Sequence, residues 1–191
     1  MFDYFGILVS IIFGLALTHL LRGIAKQLVM RGAVKTYWVH QLWTVNVVFV
    51  VLALWWGMYW WKGLQEWPAG WFFFLSLYAM VVFLWSAMLY PPELQEGFDF
   101  EQYFFRTRRR FFGLMTLAMA LDVPETLGKQ WWHLRPSATS YPLFITAMIL
   151  IGIVGFFSSN RRVHAGLCVA TLVLMVYYEF LTSLSRIASH H

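Results

Sequence analysis

Apolar residues run along this chain in six blocks, at about 4–27, 38–61, 70–90, 104–121, 142–159 and 163–187. Turn-forming or charged stretches separate them: Arg31-Gly32, Gln65-Glu66-Trp67-Pro68, Pro91-Pro92, Pro136 and Asn160-Arg161-Arg162. A helix needs about 20 predominantly apolar residues to cross a hydrocarbon core about 30 Å thick. The pattern therefore predicts an all-α fold, a polytopic transmembrane helical bundle of about six spans. Residues 1–191 form a single integral membrane domain, with no length left for a soluble one.

The fourth block is the weakest. Its strictly apolar core, Phe111 to Leu121, covers eleven residues and follows Arg106, Arg108, Arg109 and Arg110. A short tilted crossing, a re-entrant segment or an extension beyond Asp122 all fit it, and five spans is the alternative count. Trp and Tyr crowd the block ends, as at Tyr37-Trp38, Trp55-Trp56, Tyr59-Trp60-Trp61 and Trp131-Trp132. Amphipathic rings favour the headgroup level, so these read as interfacial belts.

Composition strengthens the membrane reading. The chain is 60% hydrophobic and 12% charged, against roughly 25% charged in soluble domains. Its net charge of +5 does not indicate nucleic acid, because the basic residues lie in short clusters between apolar blocks. Clusters so placed set topology. Six spans put Lys26, Arg31, Lys35, Arg106, Arg108, Arg109, Arg110, Arg161 and Arg162 on one side, and Lys62, Lys129, Arg135 and Arg186 on the other. Positive-inside bias then places both termini on the non-cytoplasmic side of a bacterial inner membrane. The cluster Arg106, Arg108, Arg109 and Arg110 also suits anionic lipid headgroups. Cys168 is the only cysteine, so no disulfide framework is available. The first block lacks a basic leader and a small-residue cleavage pattern, and reads as a retained helix.

Polar residues inside the blocks are the functional clues, since ionisable groups in a bilayer are costly and face protein or water. In the first block Gly6, Ser10, Gly14 and Thr18 recur every four residues and form a helix-packing ridge, which continues to Arg22. His19 lies off it. The second block opens with His40, Gln41 and Thr44 on one stripe, with Asn46 opposite. The last block carries the longest stripe: His164, Cys168, Thr171, Met175, Tyr178, Glu179, Thr182 and Arg186 stay within about 100° of arc. A helix polar along its whole length should not face lipid on that side.

These residues fall into two groups by depth, with Ser10, Asn46 and Thr171 between them. The favoured expectation is a channel- or transporter-like protein for protons, ions or a small solute, oligomerising to enclose a path. Its polar residues are His19, Arg22, His40, Gln41, Thr44, His164, Thr171, Glu179, Thr182 and Arg186. A haem b or metal protein held by His19, His40, His164 and Cys168 is the second reading, because axial ligands need similar depth on facing helices. The third is a non-transporting subunit or scaffold that docks a cytoplasmic protein through Pro91–Arg110. No phosphate loop, HExxH or nucleophile elbow is present, so an enzyme is the weakest expectation.

Overall fold

The computed structural model describes residues 2–134 and 140–188, with side chains placed for 3–134 and 140–179. The chain forms α1 (Phe2–Val29), α2 (Trp38–Met58), a 3-10 turn (Tyr59–Gly63), α3 (Ala69–Ala87), α4 (Phe100–Trp131), α5 (Tyr141–Phe157) and α6 (Arg161–Ala188). No β-strand occurs among the described residues. Four stretches there are long and apolar enough to cross a membrane: Asp3–Val29, Trp38–Gly63, Ala69–Ala87 and Phe100–Trp131. They fit an integral membrane protein.

Local chemistry explains the helix boundaries. Asp99 starts α4, its Oδ1 accepting from the backbone N–H groups of Glu101 and Gln102 at 2.9 and 3.0 Å. Asn160 starts α6 in the same way, accepting from the Arg162 N–H at 2.9 Å. The stretch before α4 is not a loose surface segment. Lys35 bonds through its backbone to Phe98 and Phe100, and the Gly97 N–H reaches the Ala33 carbonyl. Gly97 adopts φ 77°, a conformation that side-chain-bearing residues rarely take.

The fourth block takes the extension beyond Asp122, one of the three forms that its sequence fits. Its helix does not stop at Leu121 but runs through Asp122 and Pro124 to Trp131, 32 residues in all. Pro124 removes one backbone donor, a loss that packed membrane helices tolerate when neighbours satisfy the freed carbonyl. The short helix is α5, whose 17 residues span about 25 Å.

Around the bundle each helix packs on its ring neighbours in the order α1, α3, α4, α5, α6, α2, and α2 closes back on α1. α2 and α4 sit opposite each other in this ring yet also touch. Their contact divides the interior into two four-helix compartments. At its centre the Trp43 ring lies 5.4 Å from Phe111 and 5.2 Å from Phe112, both edge-on. Outward faces carry Ile7, Ile11, Leu15, Phe73, Leu77, Leu150, Val169, Val173 and Val176, the side chains a bilayer accepts.

The small-residue ridge of α1 touches the bundle at Ser10, whose Oγ accepts from Trp55 Nε1 of α2 at 3.1 Å, but it is not the buried face. The buried face is Phe5, Val9, Phe13, Ala16 and Leu20. Ser10, Gly14 and Thr18 lie exposed, and a Cβ at Gly14 would meet nothing within 4 Å. The wide ring interior calls for volume, which Phe5 and Phe13 supply and glycines do not. Close approach occurs instead on α5, where a Cβ at Gly155 would fall 2.5 Å from the Phe112 ring.

Gly155→Ala should therefore lower thermal stability in detergent micelles by about 1–3 kcal/mol through overpacking. Gly113→Ala, whose Cβ would sit 3.6 Å from Phe156, should leave it unchanged or slightly raised. Equal melting of the two variants by tryptophan fluorescence would contradict this packing.

Candidate functional site

On α4 the residues Asp122, Glu125, Thr126 and Lys129 are spaced i, i+3, i+4, i+7, which aligns them on one face. That face turns inward. Glu125, Thr126 and Lys129 are buried, the first and last only 3% exposed. Lys129 Nζ sits 2.5 Å from Glu125 Oε1, and Trp61 Nε1 donates to the same oxygen at 2.9 Å. Asp122 accepts from the Tyr78 hydroxyl at 3.0 Å through Oδ1 and from the Tyr141 hydroxyl at 2.8 Å through Oδ2. Helices α3, α4 and α5 thus all contribute to one polar network.

The surrounding fold holds these groups in place. The 3-10 turn after α2 folds Trp61 back into the bundle, where it is fully buried against Trp67, Trp71 and Trp132 at 6.0, 5.0 and 5.9 Å. Trp61 is therefore a core residue and not part of an interfacial belt; Trp55, Trp56 and Trp131 remain exposed. Gly128 makes room for this aromatic wall, since a Cβ there would lie 2.4 Å from the Trp71 ring. Gly57 faces the ion pair, its Cβ position 3.5 Å from Lys129 Nζ.

Next to the network a cavity of about 110 Å³ opens between α2, α4, α5 and α6. Asp122, Glu125, Thr126, Lys129, Tyr141 and Glu179 supply its polar atoms, and Phe49, Trp56, Phe144 and Tyr178 its aromatic walls. Phe144 and Tyr178 stack at 4.3 Å and 16°. The cavity lies near the α4 end remote from the arginine cluster. Toward the arginines the same compartment is filled: His164 stacks 5.3 Å from Phe112, with Phe104 5.2 Å away. Cys168 and Thr171 face this filled interior and Met175 lines the cavity, all three buried. The Thr171 hydroxyl bonds back to the Leu167 carbonyl at 2.9 Å.

The expected stripe of α6 therefore faces inward as far as Met175, while Val169, Val173 and Val176 face out. Glu179 reaches the cavity margin. The side chains of Thr182 and Arg186 lie outside the described residues. Asn46 does find a separate neighbour, its Nδ2 donating to the Cys168 carbonyl at 2.9 Å and tying α2 to α6.

His19, His40 and His164 divide between the two compartments. His40 donates through Nε2 to the Leu89 carbonyl at 2.7 Å, and His164 through Nε2 to the Ser158 carbonyl at 2.9 Å. Each sits in the first turns of its helix and pins the end of a neighbouring one. His19 lies with His40 around the Tyr90 ring, at 6.5 and 5.1 Å, whereas His164 and Cys168 are on the far side of the α2–α4 contact. The set His19, His40, His164 and Cys168 is not brought together. No group of three or more His, Cys, Asp or Glu side chains among the described residues is placed to hold a metal ion.

Thr44 donates to the His40 carbonyl at 3.0 Å and to the Tyr90 hydroxyl at 3.4 Å. Burial pushes the Tyr90 phenol above its ordinary range, so it serves here as a neutral hydrogen-bonding group. Gln41 and Arg22 are exposed. Arg108 turns inward to donate to the Ser158 and Phe105 carbonyls, which leaves Arg106, Arg109 and Arg110 to face outward. Two acids at the start of α4 pair with other elements: Asp99 with Lys35 at 3.8 Å and Glu101 with Arg161 at 2.5 Å.

Glu125 and Lys129 escape a hydropathy reading because Asp122 and Pro124 mark an apparent span end. The i, i+3, i+4, i+7 spacing of polar residues across that proline is the signal that exposes them. No family model matches the chain, and comparison with curated proteins and with solved structures returns no match.

Glu125→Gln should destabilise the fold by about 3–5 kcal/mol, because it leaves the Lys129 ammonium buried without its counter-charge. Adding Lys129→Met should recover most of that loss. Thermal unfolding in micelles measures both, and an unrecovered double variant would show that the loss does not come from an uncompensated Lys129 charge.

Proposed function

We propose that this is a six-span membrane protein of the transporter-like kind, admitting a small cation, the proton included, into the cavity between α2, α4, α5 and α6. Both termini then lie on the side opposite the basic loops, and the cavity opens toward that side. Lys129 is withdrawn from the count of loop charges by its ion pair with Glu125, which sharpens the bias of Lys and Arg toward the cytoplasmic face.

The observation that carries this reading is the charge balance at Asp122. Lys129 pairs directly with Glu125 and acts on Asp122 only from a distance, so two carboxylates share one ammonium, and Asp122 itself is met by two hydroxyls and by no ion pair among the described side chains. Hydroxyls donating to both oxygens suit the ionised carboxylate, which only accepts. An anion at membrane depth is costly unless a counter-charge reaches it, and the adjoining cavity is where one arrives.

The filled half of the compartment makes this a gated site and not an open pore. Trp43, Phe104, Phe111 and Phe112 occupy the path beyond it, all at most 2% exposed. Passage requires these rings to part, as apolar constrictions do when they gate. One chain supplies all four walls, so the cavity itself needs no second copy.

The test is proton and monovalent-cation flux into liposomes containing the purified protein. Wild type should support flux above protein-free vesicles, and Asp122→Asn should lower it by at least about tenfold while melting normally. Flux that is absent in the wild type, or undiminished in Asp122→Asn, would overturn the reading.

A further inference from the structure

We infer that the cavity beside Asp122 takes a small alkylammonium ion, with the charged nitrogen at the carboxylate and the alkyl groups against the aromatic walls. This rests on the proposal that the cavity admits cations, and it names the class of cation.

Size, lining and charge agree on that class. A cavity of about 150 Å³ holds benzene, so about 110 Å³ holds a ligand of about four non-hydrogen atoms. Hard inorganic cations such as Mg²⁺ take about six oxygen ligands. The cavity's polar lining is the Asp122 and Glu125 carboxylates, the hydroxyls of Tyr141 and Thr126 and the Lys129 ammonium held by Glu125, with Glu179 at its margin, which does not make an all-oxygen shell. Its other walls are apolar and largely aromatic: Phe49 and Trp56 on α2 and the stacked Phe144–Tyr178 pair across from them.

Ring faces attract ammonium groups, and desolvation strengthens that attraction. A carboxylate and aromatic rings around one small volume satisfy both parts of an alkylated cation at once. The nitrogen meets Asp122 and the methyl groups displace water from rings that hydrate poorly. Lys129 does not fill this role, because its ammonium is committed to Glu125. The tyrosine hydroxyls leave lone pairs of the Asp122 carboxylate free for one more donor.

Titration of the full-length protein in micelles with trimethylammonium chloride, read by tryptophan fluorescence, tests the inference against sodium chloride of equal ionic strength. A saturable change is expected with trimethylammonium and none with sodium, and tetraethylammonium, roughly twice as large, should not compete. Asp122→Asn should weaken binding by about tenfold or more, and Gly57→Leu should abolish it by filling the cavity. Thermal melting reports whether each variant is folded. If Gly57→Leu is not, Asp122→Asn and Ala53→Leu, on the α2 wall of the same cavity, carry the test.

No saturable response from folded wild type, equal affinity in Asp122→Asn, or equal competition by sodium would each overturn the inference. Asp122-dependent proton flux without trimethylammonium binding would defeat this assignment and leave the transport proposal standing. Binding without flux would do the reverse.

Discussion

Trp43 stands on α2 with its indole edge-on to Phe111 and Phe112 of α4, fully removed from the surface. Six helices arranged in a ring would otherwise enclose one wide interior that side chains fill poorly. Bringing two opposite helices into contact converts that interior into two four-helix compartments of ordinary width. Each then packs like a small bundle, where interaxial distances of about 8–10 Å suit interdigitating side chains. The remaining features follow from which compartment a residue enters.

One compartment, bounded by α1, α2, α3 and α4, is filled by Phe5, Phe13, Trp85 and Tyr78. The other is solid at the arginine end and hollow at the far end. Glycines decide where it is solid: Gly152 and Gly155 let Thr116 and Phe112 press onto α5, so the inner half closes. Beyond Met148 the lining changes to Asp122, Tyr141 and Lys129, and space is left. A cation site of the kind proposed depends on this asymmetry, because charge is tolerable only where partners and access coexist.

Polar groups in this protein do two separate kinds of work. His40, His164, Asn46 and Arg108 each donate to a carbonyl on another helix or at its end, and so tie elements that lipid gives no hydrophobic reason to associate. Asp122, Glu125 and Lys129 gather around a cavity instead. Both kinds look alike in a list of intramembrane polar residues. Their difference lies in whether the partner is backbone at a packed end or side chain beside open volume.

Hydropathy along the chain was enough to determine the helical class and the approximate reach of five of its helices. The 100° arc of α6 likewise determined which side turns inward from His164 to Met175. These properties are local, since a window of about 20 residues sums apolar transfer energy and helical geometry fixes which residues share a face. The fourth helix escaped because that sum counts every charge as a cost, whereas the Glu125–Lys129 pair and the Tyr78 and Tyr141 hydroxyls offset it. Only the tertiary structure brings those tyrosines and Trp61 to α4, and only it places His19 and His40 on one side of the α2–α4 contact and His164 on the other. Such pairings join residues 19 to 64 positions apart, as for Tyr141 and Tyr78 with Asp122 and Trp61 with Glu125. No periodicity within one helix encodes them; the packing of the ring decides which faces meet.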